Sequence, residues 1–553
     1  MNHRTQKEVF NHFLSFSVVL FFCFSSSAQL LQRQKEFTRA DELRGGLRPE
    51  RTYYDVLKYD VYVDLDIPGK AISGKNRITF KVLNTLTRIQ LDLFENMQID
   101  SIVDQGKRLS YSRDNNAVFI DFDSELQKGA VQTLDFYFSG NPLIAKNPPW
   151  DGGVIFTKDE QGKDWVSVAV QGTGASLWYP NKDTQRDEPE EAEIHIRVPQ
   201  GLSAIANGRL TGKKTLPGNQ VEWSWKVNNP INNYNLIFNV GNYVHFSDRL
   251  GTLDLDYYVL PYHLEKAKEH FKEVKPMLRC YTEKFGDYPF PEDGYKLIET
   301  PYLGMEHQSA IGYGNGYQKG YLGRDRSQTG VGLKWDFIII HESAHEWFGN
   351  SITAADIADM WIHEAFTTYA EAVYIECRWG LDQALTYLLG TRKTVVSNDA
   401  PIIGQYGVND EGSGDMYSKG ANMLHTLRSI IHNDEQWWEL LKNFHQTFKH
   451  QIINTQEVIA FFSAQSKRPL APVFNQYLRY TKLPELQFKT KDNRVFYRWQ
   501  ADESDFAMPV DIFLSDQRKR LRPTTSWQAL KDPVQVADVK VDTDNFYIEV
   551  KIL

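Results

Sequence analysis

The sequence predicts a multidomain α+β protein: an all-β N-terminal part, a mainly helical middle and a small β-sandwich at the C-terminal end. Three observations carry this. From about Tyr53 to Phe246, apolar and polar residues alternate at period two, with turn residues between the runs. From His263 to Glu283 the apolar spacing becomes helical, and helical signals persist to about Thr481. After Leu483 the short alternating runs return. With 553 residues, 41% hydrophobic and 24% charged, the chain is globular and long enough for several domains.

Taken in order, residues 1–28 read as a signal peptide. Arg4 and Lys7 give a basic start, and Phe13 to Phe24 is an apolar stretch too short to span a bilayer as a helix. Ser26-Ser27-Ala28 supplies a small-residue cleavage site, and Phe22 before Cys23 argues against lipoprotein processing. The expectation is an exported protein, periplasmic or secreted, with no later segment apolar enough to cross a membrane. Residues 29–247 form the expected β domain. Asp60 to Ile67 and Val118 to Phe122 alternate, and Pro68-Gly69, Asn207-Gly208 and Pro217-Gly218-Asn219 mark turns. Residues 248–482 form the helical part. Residues 483–553 form the sandwich, with strands expected at Val495 to Trp499, Val510 to Leu514 and Phe546 to Val550.

Charge narrows the function classes. The formal net charge is -9; removing Arg4, Lys7 and Glu8 with the leader would bring it to -10. An acidic chain with no basic tract is a poor nucleic-acid binder. Cys280 and Cys377 lie beyond the leader, and both a single disulfide and two buried thiols fit them.

The stretch from Lys334 to Glu364 organises the rest. His341-Glu342-Ser343-Ala344-His345 is H-E-x-x-H, with eighteen residues between His345 and Glu364. Positions i and i+4 share a helix face, so both histidines can reach one ion. Glu342, about 100° further round, can address a water on that ion. A straight helix would carry Glu364 about 28 Å away. Gly349-Asn350-Ser351 therefore breaks it, and a second helical run from near Ala354 brings Glu364 back. Two imidazoles and a carboxylate leave a zinc position open for water, the composition of a catalytic rather than a structural site. Glu342 would take the proton from that water.

These words, H-E-x-x-H-E-W-F-G-N and W-I-H-E-A-F with this spacing, resemble the M1 zinc aminopeptidases, the gluzincin group that includes aminopeptidase N and leukotriene A4 hydrolase. The departures are Glu346, where Gln is commoner, and His363, where Asn is commoner. Leu303-Gly304-Met305-Glu306-His307 stands where most M1 members have G-A-M-E-N. The resemblance implies that Glu306 binds the substrate's amine and that the Gly304-Met305 backbone pairs with the peptide, as an edge strand can. Val170-Gln171-Gly172-Thr173-Gly174-Ala175 stands where the family sends a segment into the active site, which implies an amine contact for Gln171. Tyr417-Ser418-Lys419-Gly420-Ala421 resembles the family's catalytic tyrosine segment, whose phenol donates to the oxyanion. The resemblance implies a thermolysin-like catalytic domain and one Zn2+ per chain on His341, His345 and Glu364. It also implies removal of N-terminal residues from peptides with a free N-terminus. Many members continue into a large helical repeat domain, and none is expected in this chain. Two other readings share the residues: an epoxide-opening zinc enzyme, and a non-enzymatic binding scaffold. Five intact chemical groups argue against the scaffold.

Overall fold

The computed structural model describes residues 36–553, and Thr38–Leu553 form one compact unit. The signal-peptide reading of residues 1–28 lies outside the described residues.

The period-two pattern folds as expected. Tyr54–Asp66 buries every second residue over most of its length and sits inside an eight-stranded sheet. It pairs antiparallel with Ala71–Val82 and parallel with Glu191–Pro199. A four-stranded sheet follows, with Asp164–Ala169 between Gly153–Lys158 and Phe238–Gly241. Asp164–Ala169 ends just before Gln171, so that sheet aims the Gln171 loop. The buried faces of both sheets share one core, from Tyr54 to Tyr243, joined by Ile298 and Ala310.

A five-stranded sheet opens the next part, in the order Val244–Leu250, Leu253–Val259, Tyr295–Glu299, Ile311–Tyr313, Gly304–Met305. Val244–Leu250 runs across the division read at 247/248 and pairs residue by residue with Leu253–Val259. Gly304–Met305 lies at the sheet's edge, paired on one side only. Helix Phe337–Ala344 packs against it, and helices Val274–Phe285, Trp361–Trp379, Leu381–Thr394 and Ser418–Ile431 pack with that helix and one another around a second core, which extends from Leu253 to Ile548.

The return toward Glu364 differs from the sequence reading. Ile352–Ala354 is a strand, paired parallel with Gln451–Ile453, and the helix begins only at Trp361. The β-branched Ile352 and Thr353 favour that pairing. Asp356 then accepts from the Ala358 N–H to cap the short turn Ile357–Asp359.

Two sheets close the chain. Glu485–Lys491 and Arg494–Gln500 belong to one, Val510–Leu514 and Gln517–Leu521 to the other. The last strand is Glu549–Ile552, displaced from the expected Phe546 to Val550. The Tyr547 N–H donates to Thr426 Oγ1 and its carbonyl accepts from the Tyr477 hydroxyl. Helix side chains thus take the backbone groups a strand there would need. Cys280 and Cys377 are disulfide-bonded, tying Val274–Phe285 to Trp361–Trp379. Among the described residues, no helix is long and apolar enough to cross a membrane.

Candidate active site

The site begins at Asp336. Its carboxylate accepts from the Ile339 N–H and caps helix Phe337–Ala344, while Tyr313 O–H donates to its other oxygen. His341 lies inside this helix. His345 follows it, still at φ -61°, ψ -23°, so the two imidazoles share a face. The chain then leaves the helix at Phe348 and Gly349. Gly349 has φ 125°, and a Cβ there would sit 3.0 Å from His345 Nδ1. Only glycine fits that turn without strain.

Trp361–Trp379 delivers Glu364. Its Oε2 lies 3.4 Å from His341 Nε2 and 3.6 Å from His345 Nε2. The three ligand-type atoms fall within 4.8 Å of one another. Each imidazole is oriented from behind. His341 Nδ1 pairs with Glu371 Oε1 at 2.8 Å, and His345 Nδ1 donates to the Phe348 carbonyl at 3.0 Å. Both Nε2 lone pairs therefore face Glu364, whose Oε2 is buried with no hydrogen-bond partner among the described residues. Two neutral imidazole donors and an orphaned carboxylate oxygen converging on one point fit a divalent cation of the zinc type. Electrostatics agrees. Burial alone would lower His341, but the Glu364 and Glu371 carboxylates outweigh it and push it up to about 10. The cluster calls for positive charge between its acids.

The sequence reading stopped at the third ligand and missed Glu371. Its signal was present: seven residues past Glu364 is two turns along the same helix, hence the same face. Tyr387 O–H fixes the other Glu371 oxygen at 2.6 Å.

Glu342 is buried beside this set. Burial foremost, then the Glu364 and Glu371 charges, push it up to about 7, against the pull of His341. A carboxylate near neutrality suits a proton acceptor at working pH. Tyr417 sits just ahead of helix Ser418–Ile431 and stacks on His341, with ring centroids 6.1 Å apart. Burial, then Glu364 and Glu306, raise its hydroxyl well above the usual value, so it stays a donor.

Glu306 follows the edge strand Gly304–Met305. The nearest ligand-type atoms of Glu306, Glu342 and His345 also lie within 4.8 Å of one another. Tyr234 O–H donates to Glu306 Oε1 at 3.1 Å, and Gln171 Nε2 donates to the same oxygen. Burial, then Glu342 and Glu364, push Glu306 up to about 8. A Cβ on Gly304 would meet Ile338 Cγ2 at 2.7 Å and Glu342 Oε1 at 3.2 Å, so the departure to glycine lets the strand lie against the H-E-x-x-H helix. The other departures are also built in. Glu346 accepts from Tyr288 O–H and the Ser309 N–H, binding the turn after Glu306 to the histidine helix. His363 Nε2 accepts from the Ala354 N–H and steadies the return. Tyr234, unremarked among Asn233 to Gly241 in the sequence, joins the N-terminal sheets to the site.

An H-E-x-x-H helix whose histidines meet a glutamate from a second helix, beside an edge strand, defines the gluzincin class of peptidase folds. Residues 269–477 match the family model described as the peptidase family M1 domain. That match spans the middle of the chain and takes in all three candidate ligands, His341, His345 and Glu364. It is similar to probable aminopeptidase 2 of Sulfurisphaera tokodaii, at 20% identity over 89% of this chain and 63% of the relative. It is also similar to aminopeptidase B of Mus musculus, at 26% identity over 56% of this chain and 48% of the relative. The chain thus spans about half to three-fifths of the length of these curated relatives. Among solved structures, an M1 zinc metallopeptidase mutant from Deinococcus radiodurans, bound to a Tyr-Ser-Ala substrate, superposes with TM-score 0.65 at 22% identity. That match covers 78% of this chain and 96% of that one.

Proposed function

We propose that the protein is a zinc-dependent aminopeptidase. The observation that carries this is the pairing of two features in one cleft: the ligand set His341, His345 and Glu364, and the carboxylate of Glu306 close beside Glu342 and His345. The aminopeptidase names of the M1 relatives support it. Zinc, when bound by the three ligands, supplies Lewis-acid polarisation of a carbonyl and acidification of water. Glu342 accepts the proton of the attacking water and hands it to the departing amine. The Tyr417 hydroxyl donates to the oxyanion as the carbonyl becomes tetrahedral. Glu306 receives the free ammonium, aided by Gln171, while Gly304-Met305 offers unpaired backbone groups to the peptide. Glu306 selects the end of a chain over its middle, because a terminal ammonium is a cation and an internal peptide bond is neutral.

We also propose export to an oxidising compartment, periplasmic or secreted. The Cys280–Cys377 disulfide supports it, since such bonds persist mainly outside the cytosol.

The test is a matched pair of peptides, one with a free N-terminus and one N-acetylated, digested by zinc-loaded enzyme and followed by mass spectrometry. The free peptide loses its first residue and the acetylated one stays intact. Glu306→Ala should slow cleavage of the free peptide by about 100-fold or more, as for removing one partner of a buried charge pair. Internal cuts, or equal cleavage of both peptides, defeat the reading.

A further inference from the structure

Close to the metal ligands stands a cation that, among the described residues, has aromatic partners but no carboxylate. Arg326 lies on the loop between Ile311–Tyr313 and the histidine helix. Its guanidinium carbon sits 5.5 Å from the Tyr321 ring centroid and 5.2 Å from that of Phe337. Those rings meet edge to face at 5.2 Å, and Phe337 stacks on His341 at 5.1 Å and 13°. One aromatic step therefore separates Arg326 from a metal ligand. Among the described residues, no carboxylate pairs with it. Its neighbour Asp325 is committed to the loop, accepting from the N–H groups of Ser327, Thr329 and Gly330. The loop is fixed rather than loose: Thr394 Oγ1 donates to the Arg326 carbonyl at 2.5 Å.

The strand gives the direction. Gly304 touches Ile338 and Glu342, whereas Glu306, two residues on, lies by Glu342 and His345. A peptide whose ammonium rests on Glu306 runs back past Gly304, toward the Phe337 end of the helix. Phe337 is four residues from His341, about 6 Å along the axis. Two residues of extended chain, at about 3.4 Å each, cover that distance beyond the scissile bond. A guanidinium held over aromatic rings keeps its N–H fork available to a carboxylate.

Resting on the aminopeptidase reading, we infer that Arg326 binds the C-terminal carboxylate of the substrate, so that the preferred substrates are tripeptides with a free C-terminus.

Three substrates test this with zinc-loaded wild-type enzyme: trialanine as the free acid, trialanine amide, and alanine p-nitroanilide. No turnover of any of them would sink the aminopeptidase reading itself. Given turnover, the free acid should exceed the amide in kcat/KM by about 10- to 100-fold, as for a charge-assisted pair. Arg326→Met should collapse that ratio to below about threefold, and Arg326→Gln should do the same. The ratio is internal to each variant, so a partly unfolded preparation does not alter it. Wild-type enzyme that cleaves acid and amide alike, or an Arg326→Met enzyme that keeps the preference, overturns the inference.

Discussion

Glu371 decides how His341 is presented. Its carboxylate holds the Nδ1–H, so the ring cannot rotate and its Nε2 lone pair stays on the metal side. Glu371→Gln keeps the size but loses the charge that makes the imidazole a better donor. Zinc affinity should fall about 10- to 100-fold, measured by competition with a chromogenic chelator. An unchanged affinity would show that the contact only fills space. At this scale much was legible. His341, Glu342 and His345 follow from local spacing, because a helix face is a local property, and Glu364 follows once the glycine break turns the chain back. Glu306, Gln171 and Tyr417 could be named only by resemblance, since their closeness depends on three separate stretches of chain. Tyr234 and Arg326 carried no local signal, because a tyrosine or arginine gains its meaning from what faces it.

At the scale of elements, the break after His345 is the critical joint. Phe348 and Gly349 turn the chain so that the Phe348 carbonyl meets His345 Nδ1. Gly349→Ala forces a side chain into φ 125° and against two imidazoles, His345 at 3.0 Å and His363 at 3.3 Å. Strain of about 1–3 kcal/mol is expected. The apparent Tm should drop by a few degrees and zinc should be released more readily, read by scanning fluorimetry with and without a chelator. A variant with wild-type Tm and zinc retention would show that the turn adapts. Glycine marked this break in the sequence. The strand Ile352–Ala354 beyond it could not be read, because its partner Gln451–Ile453 lies far along the chain. The displaced last strand has the same cause, Thr426 and Tyr477 being distant competitors for the backbone.

For the whole molecule, buried titratable groups away from the ligand set shape stability against pH. Burial, the leading cause in each, pushes His307, His425 and His445 down to about 3. Each stays neutral in the fold but takes a proton below about 6.5 when unfolded. Their stabilisation is therefore present above about 6.5 and is lost as pH falls toward 3. Glu188 and Glu346 act oppositely. Burial pushes both up to about 7, so the fold holds their protons and loses that advantage as pH rises from about 4.5 to 7. Between about 4.5 and 6.5 the two glutamates offset two of the three histidines, leaving a slope about a third as steep, roughly 1.4 kcal/mol per pH unit. Below about 4.5 the glutamates no longer change, and the three histidines together remove up to about 4 kcal/mol per pH unit. A shallow decline of the denaturation midpoint from pH 6.5 to 4.5, then a fall about three times steeper, is the expected profile. His425→Gln should make that fall shallower. A midpoint that declines evenly from pH 6.5 would contradict the assignment of neutral, buried imidazoles. The three-part architecture was legible because hydrophobic period changes along the chain. The shared core joining helices to the C-terminal sheets was not, since periodicity says which face is buried and not against what.

The contact between Gln171 and Glu306 joins residues 135 positions apart. During synthesis, Gln171 and Tyr234 emerge first, Glu306 next, then the histidines and Glu364, and Tyr417 last. No nascent fragment short of Tyr417 holds the full constellation. The order of translation thus withholds the assembled site until most of the chain exists.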